Sequence, residues 1–102
     1  MVKIISDAFE IPQKGLIVID FFATWCGPCK RIAPTYEKLS ESLTSIQFFK
    51  VDVDESPELV SQFDISSMPT FIFLKDGVEV KRVEGADMRE LEVGFDLLTK
   101  TK

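Results

Sequence analysis

An α/β sandwich is the fold this sequence predicts: a mixed sheet of about five strands flanked by about four helices. Three observations predict it. Segments with strand and helix character alternate along the chain in the order β-α-β-α-β-α-β-β-α, which builds a partly parallel sheet with helices on both faces. One strand-like run is apolar at nearly every position, as a strand covered on both faces must be. Near the C-terminal end an Asp-Gly pair joins two strands, adding an antiparallel edge.

The elements follow in order. Lys3 to Ile5 reads as a short strand. A brief helical turn from Ser6 follows and stops at Pro12, which lacks the donor a helix interior needs. Leu16 to Phe22 is the continuous apolar strand, interrupted only by Asp20. From Cys29 to Leu43 the period changes. Cys29, Ile32, Ala33, Tyr36, Leu39 and Leu43 share one face, and Lys30, Arg31, Glu37, Lys38 and Glu41 point elsewhere, so this is an amphipathic helix with a kink expected at Pro34.

Ile46 to Val53 is the next strand. Ser56-Pro57-Glu58 then supplies a capping hydroxyl, a first-turn proline and an acid, the order a helix start prefers. Leu59, Val60 and Phe63 form the buried side of that short helix. Thr70–Lys75 and Val78–Glu84 pair across Asp76-Gly77. Asp87-Met88-Arg89-Glu90 resembles a capping box, followed by the stripe Met88, Leu91, Phe95 and Leu98. No repeat, linker or low-complexity segment interrupts the 102 residues, which read as one domain, 1–102. A chain of this length buries roughly two-thirds of its unfolded surface and needs no disulfide or metal to fold.

Composition narrows the function. A net charge of -5 argues against nucleic acid and anionic membranes, which call for a basic patch. Leu16 to Ala23, the longest apolar stretch, is too short to span a bilayer. Met1 to Pro12 has neither the charged and apolar pattern nor the small-residue cleavage site of a secretory leader, so a reducing, cytoplasmic compartment is expected. There are only two cysteines, and there is no histidine. The missing imidazole removes Cys–His and Ser–His mechanisms and most zinc sites.

The chemistry concentrates in Trp25-Cys26-Gly27-Pro28-Cys29-Lys30, where the buried strand hands over to the amphipathic helix. The first turn of a helix leaves N–H groups unpaired and carries partial positive charge, which stabilises an anion. A thiolate there is held in the form that attacks disulfides. The two-residue spacer lets the sulfurs close a small ring. Residues three apart share a helix face, so Cys29 is expected to lie inward and Cys26 at an exposed tip, making Cys26 the attacking sulfur and Cys29 the resolving one. Two other readings stand beside this one. The pair could be half of a zinc site, for which no other Cys or His supplies ligands. It could also be an inert structural disulfide, whose short loop would constrain little chain entropy.

The run Asp20 to Lys30 resembles the active-site signature of the thioredoxin family. The likeness continues through Ala33-Pro34, Lys50-Val51-Asp52-Val53-Asp54, Met68-Pro69-Thr70-Phe71, Lys75-Asp76-Gly77 and Gly85-Ala86, in the style of the cytosolic eukaryotic branch. The resemblance implies the thioredoxin fold and protein-disulfide reduction through a redox disulfide, Cys26–Cys29. Asp20 corresponds to the family's buried acid; desolvation should raise its pKa until it can take the proton from Cys29. An aspartate merely ending a strand is the plainer alternative. Lys50 matches a lysine that modulates this acid, unless it is a simple surface lysine. Pro69 matches a cis-proline facing the dithiol, which would aim the Met68 backbone at a substrate strand. Trp25, Gly27, Pro28, Met68, Pro69, Gly85 and Ala86 would form the docking surface.

By the same resemblance the domain binds no cofactor and no metal. Its electrons would come from NADPH through a flavoprotein, thioredoxin reductase. Its substrates would be disulfide proteins such as peroxiredoxin, ribonucleotide reductase or methionine sulfoxide reductase, and it would act as a monomer. A disulfide isomerase or oxidase, and a thioredoxin-fold adaptor, are the alternatives. The chain also departs from the family: the segment between the first two strands is short, Met68 stands where isoleucine is commoner, and Glu84 puts a charge beside the docking surface. These changes bear on partner choice. Regulatory cysteines outside the dithiol are absent.

Overall fold

The computed structural model describes residues 1–100; residues 101–102, the end of the expected domain, lie outside the described residues. Five strands form one sheet: β1 (Val2–Ile4), β2 (Leu16–Phe22), β3 (Ile46–Asp52), β4 (Thr70–Lys75) and β5 (Val78–Glu84). Three α-helices accompany them: α1 (Gly27–Ser42), α2 (Pro57–Gln62) and α3 (Met88–Thr99). The strand order is β1-β3-β2-β4-β5, with β1, β3 and β2 parallel and β4 and β5 antiparallel to their neighbours.

β2 sits in the middle of the sheet, which is why its sequence is apolar on both sides: Ile17, Val18, Ile19 and Phe21 are all fully buried. Its alternate residues feed two cores. Val18 joins Ile32 and Tyr36 of α1, Phe71 and Phe73 of β4, and Leu91, Phe95 and Leu98 of α3. Ile17, Ile19 and Phe21 join Leu59 of α2 with Phe49, Val51, Ile72 and Leu74 on the opposite face. Asp20 has the parity of Val18 and therefore lies on the α1 side.

At the hairpin, Asp76 (φ 50) and Gly77 (φ 86) both adopt the left-handed backbone that a two-residue turn between twisted strands demands. The Gly15 N–H donates to Asp76 Oδ1 at 2.8 Å and ties this tip to the start of β2.

Several expectations are corrected. The first helix is only a 3-10 turn, Ala8–Glu10, so three α-helices stand where about four were expected. The few residues available between β1 and β2, ended by Pro12, leave no room for more. That turn carries a complete capping box between Asp7 and Glu10. The box expected at α3 is half made. Asp87 Oδ1 accepts from the Arg89 and Glu90 N–H groups at 3.1 Å each, but the Glu90 carboxylate turns to Lys81 at 2.8 Å. Ser56 precedes α2 without capping it; its hydroxyl is buried and has no partner among the described residues. Met88, expected in the buried stripe, is 39% exposed because it opens the helix at its outer end. α1 continues through Pro34, which removes one donor from the helix and leaves the Lys30 carbonyl without that bond.

Candidate active site

β2 delivers the chain to the end of the sheet, and Ala23 turns it into α1. Cys26 is the N-cap residue of α1, with an extended backbone (φ -89, ψ 111), and its sulfur accepts the N–H of Cys29 at 3.2 Å. One of the orphan donors at the helix start is thus spent on sulfur. Gly27 and Pro28 follow in the first turn, where proline costs no hydrogen bond. Cys26 and Cys29 are joined by a disulfide with Cα atoms 5.3 Å apart.

The expected difference in exposure is not present in this oxidised form. Cys26 is 6% exposed and Cys29 4%. Both sulfurs are tied to each other, and the pair packs with Ala23 against Phe22, Val53 and Met68. Among the described residues no group of three His, Cys, Asp or Glu is arranged to hold a metal ion.

Asp20 is buried in β2, three residues before Ala23, and among the described residues neither carboxylate oxygen has a hydrogen-bond partner. Desolvation raises its pKa from 3.8 to about 7, with the positive charge of Lys50 pulling in the opposite direction. Lys50 pairs with Asp20 in the parallel register of β2 and β3. Its ammonium rests over the Phe22 ring, 4.6 Å from the centroid. Lys50 and Cys29 line one cavity of about 240 Å³ with Phe22, Ala23, Thr24, Lys30 and Ala33. Tyr36, packed in the core below, donates to the Phe49 carbonyl at 2.7 Å.

Of the residues expected to form a docking surface, Trp25, Gly27, Pro28 and Ala86 are exposed, Met68 and Gly85 are half-buried, and Pro69 is buried. The Met68–Pro69 peptide bond is cis. The Gly85 N–H donates to the Pro69 carbonyl at 2.7 Å, joining the end of β5 to the segment that packs on the dithiol. The Trp25 indole N–H donates to Asp54 Oδ2 at 3.0 Å. Asp54 closes the family-like run 50–54, but an acid 29 residues from its partner carries no local signal of this bond.

A disulfide capping a helix, with a buried acid of raised pKa on the strand that feeds it, defines a thiol–disulfide oxidoreductase. Comparison with known proteins gives the particular family. The Thioredoxin family model matches residues 3–95. Thioredoxin-1 of Schizosaccharomyces pombe is 43% identical over 99 residues, covering 93% of this chain and 96% of the relative. The crystal structure of Malassezia sympodialis thioredoxin superposes with a TM-score of 0.88 at 40% identity, covering 98% of this chain and 92% of that one. A yeast structure concerned with thiol resolution in mitochondrial 1-Cys peroxiredoxin via glutathione/thioredoxin systems matches with a TM-score of 0.89 at 38% identity over 95% of each chain. The chain belongs to the thioredoxin family, and its fold is the thioredoxin fold.

Proposed function

We propose that this protein reduces disulfides in other proteins by a two-step exchange in which Cys26 attacks and Cys29 resolves. The observation that carries this reading is the Cys26 sulfur at the N-cap of α1, bonded to Cys29 and accepting its N–H at 3.2 Å. In the reduced protein the same donor and the helix dipole stabilise a Cys26 thiolate. That thiolate attacks one substrate sulfur. A mixed disulfide forms, the substrate disulfide breaks, and the leaving thiolate takes a proton from solvent. Cys29 then gives its proton to the Asp20 carboxylate and attacks the Cys26 sulfur. The Cys26–Cys29 bond forms and the second substrate thiolate departs. Two electrons have passed to the substrate.

Asp20 suits the acceptor role because burial raises its pKa to about 7. Lys50 moderates that acid through its charge. Trp25, Gly27, Pro28, Met68, Pro69, Gly85 and Ala86 receive the substrate segment. The dithiol needs no bound cofactor: electrons come from NADPH through a flavoprotein thioredoxin reductase. Substrate proteins include peroxiredoxins, in keeping with the yeast relative's peroxiredoxin context, and ribonucleotide reductase and methionine sulfoxide reductase by family likeness. The protein works as a monomer in the cytoplasm; no helix among the described residues is long and apolar enough to cross a membrane.

The test is insulin reduction with NADPH and thioredoxin reductase. Cys26→Ser abolishes turnover in this reading, and Cys29→Ser accumulates a mixed disulfide on Cys26. A Cys29→Ser protein that captures no substrate thiol would overturn it. Equilibration with glutathione separates reductase from oxidase or isomerase: a potential of about -120 to -180 mV would mark the latter.

A further inference from the structure

At the end of β5 one acid stands without an ion pair among the described residues. Glu84 stands opposite Thr70 in the β4–β5 register, and the next residue, Gly85, is bonded to the Pro69 carbonyl at 2.7 Å. The segment it adjoins packs through Met68 against the cluster of Ala23, Cys26 and Cys29. Glu84 is exposed and makes no ion pair among the described residues.

The base best placed to neutralise it is occupied. Arg82 lies two residues back on the same strand face, and its charge and that of Glu84 act on each other through space. Its guanidinium, however, is spent elsewhere. Nε and Nη2 donate to the Glu79 carboxylate at 3.0 and 3.2 Å, while Nη2 and Nη1 donate to the Phe63 and Asp64 carbonyls at 2.6 and 3.2 Å. Asp54 is likewise engaged by Trp25.

Two bases stand at the start of α1. Lys30 and Arg31 occupy the first turns of α1, and the Arg31 guanidinium lies over Gly27, 3.5 Å from where a Cβ would sit. β5 is two strands from β2, so Glu84 stands about 10 Å across the sheet from the strand that feeds α1. A basic side chain on an incoming segment is repelled at α1 and attracted at the end of β5.

We propose that Glu84 is a specificity-determining residue that favours disulfides flanked by lysine or arginine, with the base seated at the end of β5. Charge placed this way discriminates partners through attraction at one rim and repulsion at the other. The proposal rests on the disulfide-reductase reading.

The experiment uses two synthetic peptides, each closed by one disulfide and identical except for lysine or glutamate beside the cysteines. The readout is the ratio of their kcat/KM values within each protein, which does not depend on the fraction folded. The wild type should reduce the lysine peptide about three- to tenfold faster at low salt, with the ratio falling toward one at about 0.5 M salt. Glu84→Gln should lose most of the preference and Glu84→Lys should reverse it. A ratio that is the same in wild type and Glu84→Lys overturns the proposal. Equal reduction of both peptides by the wild type overturns only the role of Glu84. Reduction of neither peptide would bring down the reductase reading, and this proposal with it.

Discussion

On one face of the sheet α1 and α3 close over the core; on the other, α2 and a three-residue 3-10 turn leave part of the sheet open. The closed face is tight enough that Gly94 of α3 has no room for a side chain: a Cβ there would fall 2.5 Å from Phe73 Cζ. Phe73 in turn meets Phe95 edge-on, with ring centroids 5.2 Å apart. The open face holds a groove of about 580 Å³ lined by Phe9, Ile11, Phe63 and Leu74, with Phe9 96% exposed at its rim. The difference teaches where the chemistry can sit. Asp20 is on the closed face, where exclusion of water raises its pKa.

The largest expected effect tests that claim directly. An acid whose folded pKa is raised costs nothing below its unfolded value and its full penalty above its folded value. Stability should therefore fall as pH rises from roughly 4 to 7, by about 4 kcal/mol in all, given the rise of Asp20 from 3.8 to about 7. Asp20→Asn removes this dependence. Unfolding free energies of the two proteins from urea titration should diverge by about 2–3 kcal/mol between pH 5 and pH 8, the variant being favoured at the higher pH. Parallel curves would show that Asp20 titrates as an exposed acid. The same variant should lose an inflection near pH 7 in the rate of mixed-disulfide resolution.

Next in size is Gly94→Ala, which forces Phe73 to move within a filled core and should cost about 1–3 kcal/mol in thermal or urea unfolding. A neutral result would mean that the closed face can breathe. On the open face, Arg82→Met withdraws the donors from the Phe63 and Asp64 carbonyls and should cost about 1–2 kcal/mol, less than a core change because water can reach them. Smallest is Phe9→Ser at the groove rim, expected within about 0.5 kcal/mol of wild type. A cost comparable to Gly94→Ala would show that the two faces are not unequal after all.

Much of this was legible in local pattern. The continuous apolar run of β2, the period of α1 and the Asp76-Gly77 turn each reflect constraints a few residues long. So does the dithiol, because its spacing and its site at a strand-to-helix junction are local. What was misread concerns groups whose partner is distant. Glu90 abandons the cap of its own helix for Lys81, and Ser56 is buried before it can cap α2. Cys26 is buried in a cluster against which Met68 packs, 42 residues later in the chain.

By itself, then, the amino-acid order determined the alternation of strands and helices, the helix-capping dithiol and the acid embedded in an apolar strand, since propensity, periodicity and turn chemistry act over neighbouring residues. Tertiary structure alone decided which charges are committed and which face is sealed. Trp25 finds Asp54, Arg82 is consumed by two carbonyls and Glu79, and Glu84 is left without an ion pair among the described residues. Apart from Arg82 and Glu79, three residues apart on one strand, such pairings depend on where separate segments cross, and no short window of sequence contains both partners.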